Sequence, residues 1–151
     1  MKTINQLSAI VLLTLSLLAF SVSSDAQNLL KNGNFNNGAN NWNSNDMLVE
    51  INAENVYGGR SSSNQTAEID AQVGLRQRVS NVLKGYHYQL TFKASRRTNG
   101  GPASMGLRVR VVGTSTNTVY LNNTKTYTNT SFGFTTETLG FFLPSTITDS
   151  H

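Results

Sequence analysis

The sequence predicts an all-β fold, an antiparallel sandwich, and three observations carry that prediction. Tyr86 to Ser95 alternates, with Tyr88, Leu90, Phe92 and Ala94 on one face and His87, Gln89, Thr91, Lys93 and Ser95 on the other. Successive side chains of a strand point to opposite faces, so this run describes one buried face and one wet face. Ser104 to Val112 repeats the pattern, with Leu107, Val109 and Val111 opposed to Arg108, Arg110 and Val112. Short runs of this kind are separated by Gly, Asn and Ser turns, and no helical period is found after residue 26, which is the layout of a sandwich.

Residues 1–26 are expected to be a secretory signal and not part of the domain. Lys2 supplies a positive start, Ile10 to Phe20 is an apolar run interrupted by Thr14 and Ser16, and Ser24-Asp25-Ala26 offers small residues for cleavage after Ala26. The run is too short to span a bilayer comfortably, so no membrane span is expected after cleavage. The mature chain, 27–151, is then a single β-sandwich domain of a size that buries a usable core without metals or disulfides. Cysteine is absent, which suits bacterial export without disulfides, and the signal segment is what leads to the expectation of a place outside the cell or on its surface.

Charged residues make up 13% of the chain, well below the usual quarter, and Asn, Thr, Ser and Gly take their place. A net charge of +4, unchanged by loss of Lys2 and Asp25, leans toward anionic partners. It lacks the clustered Lys and Arg of a nucleic-acid binder.

Along the mature chain, Asn28 to Phe35 brings Leu29, Leu30 and Phe35 to the core around a turn at Asn32-Gly33. Trp42 stands in the polar loop from Asn36 to Asn45, either as a lid on the core or as an exposed stacking platform. Met47 to Ile51 reads as a short strand, Glu68-Ile69-Asp70 as another, and Gly74 to Val79 as an alternating run. A turn at Lys84-Gly85 leads into the Tyr86 strand, and a loop from Thr98 to Pro102 leaves it. Thr124, Thr126, Thr128 and Thr130 share one face of an exposed polar strand. Leu139 to Leu143 reads as a buried strand that stops at Pro144.

Three of these segments carry a family resemblance. Asn28-Leu29-Leu30-Lys31-Asn32-Gly33-Asn34-Phe35, followed by Trp42, is similar to the opening "NLLxNGxFE…W" of galactose-binding-like carbohydrate-binding modules associated with xylanases and glucanases. Glu68-Ile69-Asp70 with Leu75, Gln77 and Val79 resembles their "ELD…LxQxV" segment, and Gly85 to Arg96 their "GxxYxLxFxAR" strand. The resemblance, which covers about Asn28 to Val112, implies a jelly-roll β-sandwich that binds a polysaccharide. It also implies a structural calcium held partly by an acid after the opening Phe, but Asn36 stands at that position. Calcium is therefore weakly supported, since a hard cation needs several oxygen ligands. The chain ends at Thr148-Asp149-Ser150-His151, before the closing strand that such modules have, so either a fragment of a longer protein with further domains or an aberrant end is expected.

No nucleophile elbow, phosphate loop or zinc spacing is present. A glycosidase needs two facing carboxylates. Glu50 lies close in sequence to Glu54, and Glu68 to Asp70 on one strand face; Glu68 and Asp70 read more readily as structural, so catalysis is not expected. The expected ligand contacts are outward strand residues, Arg76, Arg78, His87, Gln89, Lys93, Arg108 and Arg110, with Trp42 and Tyr86 as aromatic planes. Guanidinium forks suit carboxylates, which points to an anionic polysaccharide such as pectin or alginate. The same arginines equally suit a solvated face that resists edge aggregation. Two rival roles remain beside the sugar-binding one: an adhesive module of a surface protein, and the binding-module fragment of a glycoside hydrolase.

Overall fold

The computed structural model describes residues 27–44, 48–71 and 73–147. The expected signal segment, Asp46, Met47, Asp149 and His151 lie outside the described residues. Among the described residues eight strands follow one another: β1 (Asn43–Ser44), β2 (Ile51–Ala53), β3 (Gln65–Ala67), β4 (Leu75–Arg76), β5 (Tyr86–Ala94), β6 (Met105–Val112), β7 (Val119–Tyr127) and β8 (Thr135–Leu143). A single 3₁₀ turn, Glu54–Tyr57, follows β2, and no α-helix occurs among the described residues. Every pairing is antiparallel: β1 with β4, β2 with β3, β5 with β8 and β6 with β7.

The two long ladders are nested in sequence. The chain leaves β5, forms the β6–β7 hairpin, and returns in β8 beside β5. In β5–β8, Tyr88, Leu90 and Phe92 stand opposite Phe141, Leu139 and Glu137. The Tyr88 and Phe141 rings stack at 5.5 Å, and Leu139 and Leu143 are buried. In β6–β7, Leu107, Val109 and Val111 stand opposite Lys125, Asn123 and Leu121, with a register shift between Val111 and Val112. Lys125 of β7 and Glu137 of β8, each on the mostly apolar side of its ladder, form an ion pair at 2.7 Å. That contact joins the two ladders through their apolar sides. Tyr127 is buried nearby, and burial pushes its phenol pKa up, with the Glu137 carboxylate adding to the effect.

Both connections between the long ladders are tied by one side chain. Arg96, 8% exposed, donates Nε to the Asn129 carbonyl at 2.9 Å and Nη1 to the carbonyls of Arg97 and Pro102. Its neighbour Ser95 accepts the Gly133 N–H at 3.2 Å. The β5–β6 loop is thereby fastened to the β7–β8 loop.

Several element boundaries differ from those expected. The strand near the acids is Gln65–Ala67, and Glu68-Ile69-Asp70 lies beyond it, although the Glu68 N–H still reaches the Glu50 carbonyl at 3.0 Å. The alternating run from Gly74 contributes only Leu75–Arg76 as strand. Of the strand expected from Met47 to Ile51, residues 48–50 are not strand and Ile51 opens the strand Ile51–Ala53. Strand Thr135–Leu143 begins four residues before the expected Leu139, because Glu137, Thr136 and Thr135 continue the pairing with Phe92, Lys93 and Ala94. Alternation in a sequence assigns faces, whereas the length of the partner decides where pairing stops.

Replacing Arg96 tests the clamp. Arg96→Met leaves the carbonyls without their donor and is expected to lower stability by about 1–3 kcal/mol, read from urea unfolding. Arg96→Lys should recover little of this, since one ammonium cannot reproduce the planar fork.

Candidate functional site

The expected ligand residues fall into three groups. Arg108 and Arg110 project from the solvent side of β6, opposite Thr124 and Asn122, and both are exposed. Arg108 Nε donates to Asn122 Oδ1 at 2.9 Å. Gly106, one position further along this face, has nothing within 4 Å of where a Cβ would stand, so the sheet floor beside the arginines is open. His87, Gln89 and Lys93 project from the solvent side of β5 opposite Phe142, Gly140 and Thr136. Because the two ladders meet through their apolar sides at Lys125 and Glu137, these two exposed faces point away from one another. Arg76 lies on the short β1–β4 ladder opposite Asn43, and Arg78 is exposed just beyond it.

The aromatic candidates are placed differently. Trp42 donates its indole N–H to the Asn32 carbonyl at 2.9 Å and packs its ring 5.4 Å from Phe35. It is part of the loop's own packing. Tyr86 is 57% exposed at the rim of β5, on the side of Tyr88. The sequence reading missed Phe142, which it counted in a wholly buried strand, yet Phe142 is 44% exposed and its ring lies 4.8 Å from that of His87. The signal was available: with Leu139, Phe141 and Leu143 inside, alternation puts Phe142 outside. Asn122 and Gly140 were also missed, because only pairing sets them beside Arg108 and Gln89.

Three of the acids, Glu54, Glu68 and Glu137, are engaged in the framework. Glu68 pairs with Arg97 at 2.7 Å, and the Arg97 guanidinium lies 5.7 Å from the centre of the buried Tyr57 ring. Burial raises the Tyr57 pKa, with Glu68 and Glu50 adding to it, while the Asn52 amide, donating to Tyr57 Oη at 2.8 Å, opposes the rise. Glu54 accepts the Asn64 side-chain amide at 2.8 Å and the Arg60 backbone N–H at 3.1 Å, closing the serine-rich loop. The Asn64 bond chiefly, helped by the Arg60 and Ser61 backbone, holds the Glu54 pKa below the ordinary carboxylate value. A general acid needs the opposite shift.

The opening loop does not fit a calcium ion. Asn32 holds the left-handed conformation, φ 50°, and its Nδ2 donates to the carbonyls of Gly38 and Asn40, both at 2.9 Å. Its Oδ1 accepts the Asn37 N–H at 3.1 Å. The Gly38 and Asn40 carbonyls of this loop accept an amide donor, and Asn36 supplies no charge for a hard cation. Among the described residues no cluster of three or more acids and histidines could hold a metal.

A family model described as "Carbohydrate binding domain" matches residues 27–142, and the chain belongs to that family. Comparison with curated proteins and comparison with solved structures each found no match.

Two expectations follow. Glu54 has a lowered folded pKa, so its contribution is present above the unfolded value, near 4.5, and is lost as pH falls through the folded value. The stability difference between the protein and Glu54→Gln should therefore shrink on acidification below about pH 4.5, as followed by urea unfolding at stepped pH. In the opening loop, Asn32→Asp removes two donated bonds and should cost about 1–3 kcal/mol and red-shift the Trp42 fluorescence. Chelating calcium should change neither the melting temperature nor that fluorescence.

Proposed function

We propose that the chain is an exported, non-catalytic module that holds an anionic polysaccharide on the solvent face of β6–β7, as part of a longer extracellular protein. The carrying observation is the pair Arg108 and Arg110 on one open face, flanked by Asn122 and Thr124 and floored by Gly106. Residues two apart on a strand project about 7 Å apart. Two guanidinium forks at that spacing can engage successive carboxylates of a uronate chain, while the amide and hydroxyl partners bond its hydroxyl groups. Asn122 already restrains Arg108, which lowers the entropy lost when the side chain binds. The nested pairing of the long ladders, and the Lys125–Glu137 contact between them, support a jelly-roll sandwich as the scaffold that keeps this face flat and exposed.

The test is binding to polygalacturonate and alginate, alongside neutral glucans, at low and moderate salt. Uronate binding should weaken as salt rises, because the contacts are exposed ion pairs. Arg108→Ala should lower that affinity roughly tenfold or more. No uronate binding by a folded protein, or binding indifferent to salt and to Arg108, would sink this reading.

A further inference from the structure

The sequence holds three Asn-Gly pairs, Asn32-Gly33, Asn37-Gly38 and Asn99-Gly100. We propose that Asn99 is a self-modification site, converted to aspartate and isoaspartate through a cyclic imide, and that Arg97 promotes the ring closure. The structure separates this pair from the other two by what holds each reacting group.

Water and hydroxide are the only co-reactants. The backbone nitrogen of the glycine gives its proton to hydroxide and bonds to the asparagine Cγ. The Cγ–Nδ2 bond breaks, and ammonia leaves with a proton from water, which regenerates the hydroxide. Water then opens either C–N bond of the imide, leaving a carboxylate where an amide stood, and nothing is oxidised or reduced. Glycine suits the second position because no side chain obstructs the approach.

At Asn32 the reacting side chain is caged: Nδ2 donates to the Gly38 and Asn40 carbonyls, and Oδ1 accepts the Asn37 N–H. At Asn37 the attacking nitrogen is engaged, because the Gly38 N–H donates to the Phe35 carbonyl at 2.9 Å. Neither restraint applies at Asn99. Asn99 and Gly100 are both exposed, and neither the Asn99 side chain nor the Gly100 N–H is hydrogen-bonded to a described residue.

Arg97 supplies the drive. The loop turns at Gly100, φ 75°, and returns so closely that a Cβ on Gly101 would strike the Arg97 carbonyl. Within it, Arg97 Nε donates to the Asn99 carbonyl at 2.8 Å. That carbonyl and the Gly100 nitrogen share one peptide group. Negative charge left on the nitrogen when its proton departs therefore spreads onto an oxygen that already faces a cation. The Asn32 and Asn37 carbonyls receive only neutral donors, the Trp42 indole and the N–H groups of Phe35 and Asn40.

The product acts back on this arrangement. Isoaspartate adds a methylene to the main chain, and either product places a carboxylate beside the guanidinium that pairs with Glu68 and stands over Tyr57. The new carboxylate competes with Glu68, so conversion loosens the tie between the β5–β6 loop and the end of β3.

The test ages the native protein at physiological temperature and mildly alkaline pH, beside a urea-unfolded sample, and follows tryptic peptides by tandem mass spectrometry. The peptide carrying Asn99 contains no other asparagine. In the native protein Asn99 should convert roughly fivefold or more faster than Asn32 or Asn37, whereas in urea the three rates should converge. Arg97→Gln should slow Asn99 roughly fivefold in the native protein and leave its rate in urea unchanged. Glu68→Gln keeps the cation and should not slow it. The converted form, separated by ion exchange, should melt below the fresh protein, and Asn99→Gln should age without that drop. The site is overturned if native Asn99 converts no faster than Asn32 and Asn37. The role of Arg97 is overturned if Arg97→Gln converts as fast as the parent or faster. A converted form that melts like the fresh protein overturns the competition with Glu68.

Discussion

A buried guanidinium that pairs with no carboxylate among the described residues is the constraint on which the arrangement of the long ladders depends. Arg96 is removed from water at a substantial desolvation cost, which is offset only because carbonyls from three residues converge on it. Those carbonyls belong to the two connections that must run side by side if β8 is to return next to β5 while β6 and β7 pair within that excursion. Pulling either connection away would leave both the cation and the carbonyls unsatisfied. The Lys125–Glu137 pair and the buried Tyr127 complete a polar seam between ladders whose facing sides are otherwise mainly apolar.

From that arrangement the exposed faces acquire their division of chemistry. One ladder presents two arginines with amide and hydroxyl neighbours, and the other presents Phe142 beside His87 with the hydroxyls of Thr91 and Thr138. Both are open surfaces instead of enclosed pockets.

The low content of charged residues makes sense alongside how the acids are used. Glu54 closes a loop through Asn64 and Arg60, Glu68 anchors Arg97 over Tyr57, and Glu137 neutralises Lys125. In the opening loop an amide does similar service: Asn32 collects five hydrogen bonds, two donated by its side chain and three accepted, one of them from the only tryptophan in the protein. These groups are struts, and their removal would be read first in stability.

The sequence by itself determined that Tyr88, Leu90 and Phe92 face one way and His87, Gln89 and Lys93 the other, because alternation is a local property of the chain. It likewise established the outward set of Arg108 and Arg110, the turn at Lys84-Gly85 and the family's opening and central motifs. It could not assign Glu68 to a loop end, extend β8 back to Thr135, or separate the arginine face from the histidine face. Those depend on which strands pair and which sides of the ladders meet. Both are contacts between residues far apart in sequence: Glu137 reaching Lys125, Arg96 reaching Asn129, Gly140 lying across from Gln89. Only the tertiary structure brings such groups together, since their energies exist only once the chain has closed the loops between them.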